Sequence, residues 1–156
     1  MRFHLPTGFA RKTTMTTNDS QAEAMALARG WLSDLFAPWV QALHLTPVSV
    51  GPDAAVLRLP FDESLCRVGG TLCGQALMSA ADTAMVIAIS AQLGEFRPMT
   101  TVSINTSFMR PIAQGDALIT ARVLKPGRTL TFGEIEIVSA ADGKLAVHAT
   151  TAYAML

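Results

Sequence analysis

Charge, cysteine and histidine are all scarce in this chain, and each scarcity removes a class of function. Only 15% of the 156 residues are charged, and twelve Lys and Arg are balanced by twelve Asp and Glu. With no net charge there is no long-range field to gather nucleic acid or an anionic membrane, so neither is expected as a partner. A local basic patch for a phosphorylated ligand is still compatible with that balance. The two cysteines, Cys66 and Cys73, come without a clear secretion signal, and read as free thiols in a cytoplasmic protein. The three histidines, His4, His44 and His148, make no metal-ligand spacing with them, so no metal is expected. Neither a GxGxxG pattern nor a Gly-Lys-Ser/Thr ending is present, which argues against a nucleotide-phosphate loop. No other cofactor is expected either.

Apolar residues are abundant: they make up half of the chain. The length suits one domain with a sizeable core, and the low polarity suggests surface buried in a homo-oligomer. Residues 1–19 hold Arg2, Arg11 and Lys12 and no acid before Asp19. They read as a flexible leader rather than a transit peptide, with Met15 as an alternative start and residues 20–156 as the domain. The stretch from Ala76 to Leu93 is nearly long enough to span a bilayer, but Asp82 lies inside it. An aspartate at that depth costs about 2.5–3.5 kcal/mol on insertion scales, so a buried core helix is the better reading.

The periodicity outlines the elements. Asn18, Asp19 and Ser20 offer N-caps for a helix over Ala22 to Phe36, ended near Pro38 and followed by a helical turn to about Leu43. Ala54 to Leu59 alternates between Gly51-Pro52 and Pro60, as a strand does. A loop over residues 62–74 leads into the apolar helix. Beyond Gly94 the period changes to two, giving strands over Thr100 to Arg110, Ala117 to Leu124, Thr129 to Ser139 and Leu145 to Met155. In the first of these, Val102, Ile104 and Phe108 are the expected core side. The short turns imply an antiparallel sheet. A helix apolar round most of its circumference must be covered nearly all round. A sheet curled about it does so, which predicts an α+β hotdog fold.

Particular motifs narrow this further. Gly74 follows Cys73 at the helix start, and Ala80-Ala81-Asp82-Thr83-Ala84 lies within the helix. Thr101 to Pro111, Gly115-Asp116, Gly127-Arg128 and Asp142-Gly143-Lys144-Leu145 follow in order. In this order and spacing the stretch from Gly69 to Leu156 resembles the PaaI-like hotdog thioesterases. Cys73 stands where that family usually has His, Gln75 where it has a second Gly, and Arg67 where it often has Asn.

The resemblance implies hydrolysis of acyl-CoA, with Asp82 as the catalytic carboxylate. Thioester hydrolysis needs an attacking water or carboxylate, donors for the oxyanion and a place for the acyl chain. Asp82 could serve as general base or nucleophile. The N–H groups of Gly74 and Gln75 fall in the first helical turn, unpartnered and at the positive end of the dipole. Gly74 and Asp82 are eight residues apart, about 12 Å along a helix axis, so one thioester cannot touch both in the same chain. If both are catalytic, the site joins two subunits, which is also what the resemblance implies.

The resemblance further implies that Thr101 hydrogen-bonds the acid or its water. Thr101 would nevertheless point away from the helix if Val102, Ile104 and Phe108 face it, unless a bulge or an approach across the dimer intervenes. Arg67, Cys73, Gln75, Arg110 and Arg128 are the candidate substrate-binding residues. Arg110, Lys125 and Arg128 lie where relatives often meet the coenzyme A phosphates. Met78, Met85 and Met109 are candidates for lining an acyl pocket, or simply for filling core. Three alternatives accompany hydrolysis by Asp82: Cys73 as a nucleophile at the helix N-terminus, a hotdog dehydratase, and a binding protein for acyl-CoA or fatty acid.

Overall fold

The computed structural model describes residues 16–156, in element order α1 (Thr17–Asp34), α2 (Pro38–Gln41), β1 (Thr46–Val50), β2 (Ala55–Leu59), β3 (Cys66–Arg67), β4 (Thr71–Leu72), α3 (Gly74–Leu93), β5 (Met99–Phe108), β6 (Ala117–Lys125), β7 (Leu130–Ser139) and β8 (Leu145–Met155). The helix α1 starts before the expected caps. Thr16 is the N-cap, and Asp19 closes a capping box with it, both partners exchanging hydrogen bonds. Residues 17–19, placed by the sequence in a leader, are therefore the first turn of the domain. Residues 1–15, including Met15, lie outside the described residues.

Six strands form one antiparallel sheet in the order β1-β2-β6-β7-β8-β5. Its first strand was not expected. Pro47 and an irregular register hide the alternation of Thr46–Val50, but Gly51 to Ala54 turns the chain back and β1 pairs along β2. The expected loop over residues 62–74 contains a short 3-10 turn and the two-residue pair β3–β4. The connection from β5 to β6 is no hairpin. Pro111 ends the extended run, Ile112 is buried, and the chain crosses to the far side of β7 and β8, leaving β5 on the sheet's edge.

Lying in the concavity of this sheet, α3 has Ala80, Ala84 and Ala88, four residues apart, buried on its length. Such short side chains let the strands approach closely. Leu57, Leu59, Ile119, Ile135, Ile137 and Val147 fill the space around them. Although α3 is long and apolar enough to cross a bilayer, most of it is covered by its own domain, as a core helix is. Gly94, at φ +75°, ends it in the left-handed conformation that glycine adopts without strain.

At Gly133 in β7 the sheet leaves room for a side chain of α3. A Cβ there would collide with Met85, with Sδ only 2.7 Å away, and with the Arg122 carbonyl oxygen at 2.8 Å. Met85 is thus core filling, fully buried against that glycine. Gly133→Ala should destabilise the domain by about 1–3 kcal/mol through overpacking, measured by urea denaturation. Unchanged stability would show that this contact does not set the distance between helix and sheet.

Candidate functional site

The start of α3 is built by Cys73. It is the N-cap, extended at ψ 151°, and its Sγ accepts a hydrogen bond from Ala76 N–H at 3.4 Å. Leu77 N–H donates to the Cys73 carbonyl. Two of the first four N–H groups are thereby engaged. Those of Gly74 and Gln75 have no hydrogen-bond partner among the described residues, so the donors that face outward at the positive helix end are the pair singled out from the sequence.

Gly74 lies in a groove of about 330 Å³ with Arg67, Leu77, Phe108, Met109 and Arg110 on its walls. The Phe108 ring packs over the glycine, 3.3 Å from where a Cβ would be. Arg110 donates to the Leu145 carbonyl at 2.8 Å, and Arg67 to the Val68 carbonyl at 3.1 Å. Both arginines therefore border the oxyanion candidates.

Two turns further along α3, half-buried Asp82 opens into a second groove of about 350 Å³. Phe36, Trp39, Val40, Met78 and Ile104 make its apolar wall, and Gln75, Ser79 and Thr83 line it as well. No residue lines both grooves: Gly74 and Leu77 border the first, whereas Gln75, next to Gly74, borders the second with Met78, Ser79 and Asp82, so the two open on different faces of α3. Of the three methionines considered for an acyl pocket, Met78 lines the Asp82 groove and Met109 the Gly74 groove. A larger groove of about 630 Å³ between α1, α2 and β1 contains no carboxylate and none of the candidate residues.

The orientation of Thr101 follows from a bulge. The β5–β8 register shifts between Thr101 and Ser103, so Val102 is the extra residue. Thr101 lies opposite Tyr153 and Ile104 opposite Thr151, and the buried side chains of Tyr153 and Thr151 mark the face toward α3. Without the bulge, residues 101 and 104 would be on opposite faces. With it, Thr101 Oγ1 donates to Asp82 Oδ1 at 2.9 Å. Val102, expected in the core, is instead 59% exposed, and Phe108 is about half exposed at the other end of the strand.

The residue that sequence reasoning missed is Tyr153, the chain's one tyrosine. Its hydroxyl donates to the same Asp82 Oδ1 through a short hydrogen bond, with the Asp82 carbonyl oxygen 3.2 Å away. Burial, and then the neighbouring Asp82 charge, push ionisation of the Tyr153 hydroxyl well above its usual range, so it stays a donor. Its one sequence signal was an aromatic at an inward position of the last strand.

Arg128 borders neither groove. It is exposed in the turn between β6 and β7, whose Thr129 carbonyl accepts from Met155 N–H near the Tyr153 end of the sheet. Asp116, part of the Gly-Asp motif, has an architectural place: it accepts from Arg58 and from Phe61 N–H, both at 2.8 Å. Among the described residues no cluster of His, Cys, Asp and Glu could hold a metal.

An antiparallel sheet curled round a long apolar helix that bears one carboxylate is a hotdog domain. A model of the Thioesterase superfamily matches residues 69–146, half of the chain, and the chain belongs to that family. The acyl-coenzyme A thioesterase 13 of Homo sapiens is 32% identical over 103 residues, covering 65% of this chain and 72% of that protein. A conserved protein from Pseudomonas aeruginosa superposes with a TM-score of 0.72 at 31% identity, over 80% of this chain and 98% of its own. The Escherichia coli PaaI protein gives a TM-score of 0.74 over 87% of this chain and 95% of its own; at 20% identity it speaks for the fold.

Cys73 tests its two roles cleanly, because serine is a strong N-cap and carries no thiol. Cys73→Ser should retain thioester turnover within about threefold if the side chain only caps the helix. A loss of a hundredfold or so would instead make the thiol the nucleophile.

Proposed function

We propose that the protein is an acyl-CoA thioesterase in which Asp82 of one subunit and the Gly74 and Gln75 N–H groups of another act on one thioester. The observation that carries this reading is the division of one helix into two half-sites: free N–H donors at its start, and a carboxylate held by two hydroxyls eight residues later. The Gly74 groove has no carboxylate on its walls, and Gly74 is absent from the walls of the Asp82 groove. The similarity to a human acyl-coenzyme A thioesterase supports acyl-CoA as the substrate class.

The strand β5 supplies the physical argument for a dimer. It is a ten-residue edge strand, with Val102 and Phe108 exposed along it and Met109 just beyond. An open edge of this length favours pairing with another strand. If two copies of β5 pair antiparallel about a two-fold axis, the Thr101 end of each meets the Phe108 end of the other. Thr101 touches Asp82, and Phe108 covers Gly74. The two halves of the site thus come together twice per dimer.

In that arrangement the acyl chain lies along the apolar wall of Phe36, Trp39, Val40, Met78 and Ile104, which suits a medium or longer acyl group or an aryl-acyl group. The partner's Gly74 groove brings Arg67 and Arg110 toward the coenzyme A phosphates, and Arg128 lies at the Asp82 end of the sheet. The oxyanion that forms on the thioester carbonyl accepts from the helix-start N–H groups while Asp82 either takes the proton of an attacking water or attacks directly. A hotdog dehydratase would need a histidine beside the acid, and neither groove has one on its walls.

The test is thiol release from a panel of acyl-CoAs. Wild type should turn over, and Asp82→Asn should be slower by about 10²–10⁴-fold. Equal release by both proteins would sink the Asp82 mechanism. Tight acyl-CoA binding by wild type without turnover would favour a binding protein instead.

A further inference from the structure

We propose that Tyr153 is a positioning residue that, with Thr101, ties down Oδ1 of Asp82 and leaves Oδ2 as the oxygen presented to the substrate. This rests on the reading of Asp82 as the reacting carboxylate. Both hydroxyls converge on Oδ1, and among the described residues no hydrogen bond reaches Oδ2. The two donors come from neighbouring strands, Thr101 from β5 and Tyr153 from the directly opposite position of β8. Two donors on one oxygen fix the rotation of a carboxylate that would otherwise turn about its Cβ–Cγ bond.

The two donors also differ in what they can do. The Thr101 side lies at the exposed sheet edge, whereas Tyr153 is only 1% exposed. A phenol in an otherwise apolar wall needs a partner for its hydroxyl. That partner is Asp82, through its side chain and with its main-chain carbonyl close by. The tyrosine hydroxyl has one hydrogen, and Oδ1 is the nearer acceptor. The rest of the Asp82 groove, from Phe36, Trp39 and Val40 through Gln75, Met78, Ser79 and Thr83 to Ile104, adds no charged group. Tyr153 is therefore the one titratable side chain seen to face the carboxylate. Its ring packs the core regardless of the hydroxyl, so Tyr153→Phe removes the positioning contact while keeping the packing.

The experiment is the pH profile of kcat/KM for wild type and Tyr153→Phe, followed by loss of thioester absorbance. Loss of a donor to the ionised carboxylate should move the acid limb upward. It should also lower kcat by about 10–100-fold with KM within about threefold. An unmoved acid limb would overturn the proposal, whether kcat were unchanged or lowered by a merely structural defect.

Because the chain has one tyrosine, growth on fluorotyrosine labels this position alone. It provides a second measurement if Tyr153→Phe does not fold. The fluorine NMR shift should titrate with the midpoint of the acid limb and become independent of pH through that range in Asp82→Asn. A shift that ignores Asp82 would overturn the positioning contact. If the shift follows Asp82 while Asp82→Asn retains full turnover, the hydrogen bond stands but the catalytic reading fails, and the positioning role fails with it.

Discussion

A single α-helix carries one half-buried carboxylate while most of its length is packed inside its own domain, and much of the fold follows from that conflict. Ala80, Ala84 and Ala88 bring the sheet close enough to cover α3, and Gly133 leaves room for Met85. Asp82 is spared complete burial because it faces the edge of the sheet, beside Thr101 at the beginning of β5. There the wall that would otherwise close over it is a groove. A buried anion with no donor would be costly; here two hydroxyls donate to one oxygen of a half-buried carboxylate, and among the described residues no hydrogen bond reaches the other. The site depends on the helix being rigid, since its pitch fixes how far the carboxylate lies from the free N–H groups at Gly74 and Gln75.

The bulge at Val102 and the chain crossing after Pro111 serve the same end. The crossing leaves β5 at the edge, where its outer hydrogen-bonding side is open. The bulge turns Thr101 inward and Val102 outward on consecutive residues. A regular strand could supply a hydroxyl to Asp82 or keep Ile104 on the inner face, but not both. In the proposed dimer, the edge of the sheet is both the boundary of the Asp82 groove and the surface that meets the other copy.

Much of this was legible in the sequence, for physical reasons that differ from element to element. The long helix was visible because Asp82 is the one charge in its apolar run, and the strands β6, β7 and β8 because they alternate between marked turns. β1 was not, since Pro47 and an irregular register break the period. The start of α1 was misplaced because Asp19 resembles an N-cap when it is the third residue of a capping box closed by Thr16. Val102 was expected inside because period-two reasoning has no means of locating a bulge. Asp82 stood out as the one charge in an apolar helix, whereas Gly74 was picked out by its place in the first helical turn and by the family resemblance. Tyr153 could not: it lies 71 residues from Asp82, and nothing in either segment signals their contact. The apolar wall from Phe36, Trp39 and Val40 was hidden for the same reason, being brought to Asp82 by tertiary packing alone.

The central claim, that one thioester is held between Asp82 of one subunit and the helix start of another, can be tested by mixing two damaged chains. Asp82→Asn removes the carboxylate. Gly74→Pro removes an N–H at the first helical position, where the helix backbone accepts proline and the extended Cys73 suits the residue before it, while the Phe108 ring 3.3 Å from the added Cβ must shift slightly. Each variant alone should be nearly inactive. Random mixing followed by reassembly should restore about a quarter of wild-type turnover, because half the dimers are mixed and each has one intact site. Activity no greater than the average of the two parents, in mixtures shown to contain mixed dimers, would contradict a site shared between subunits.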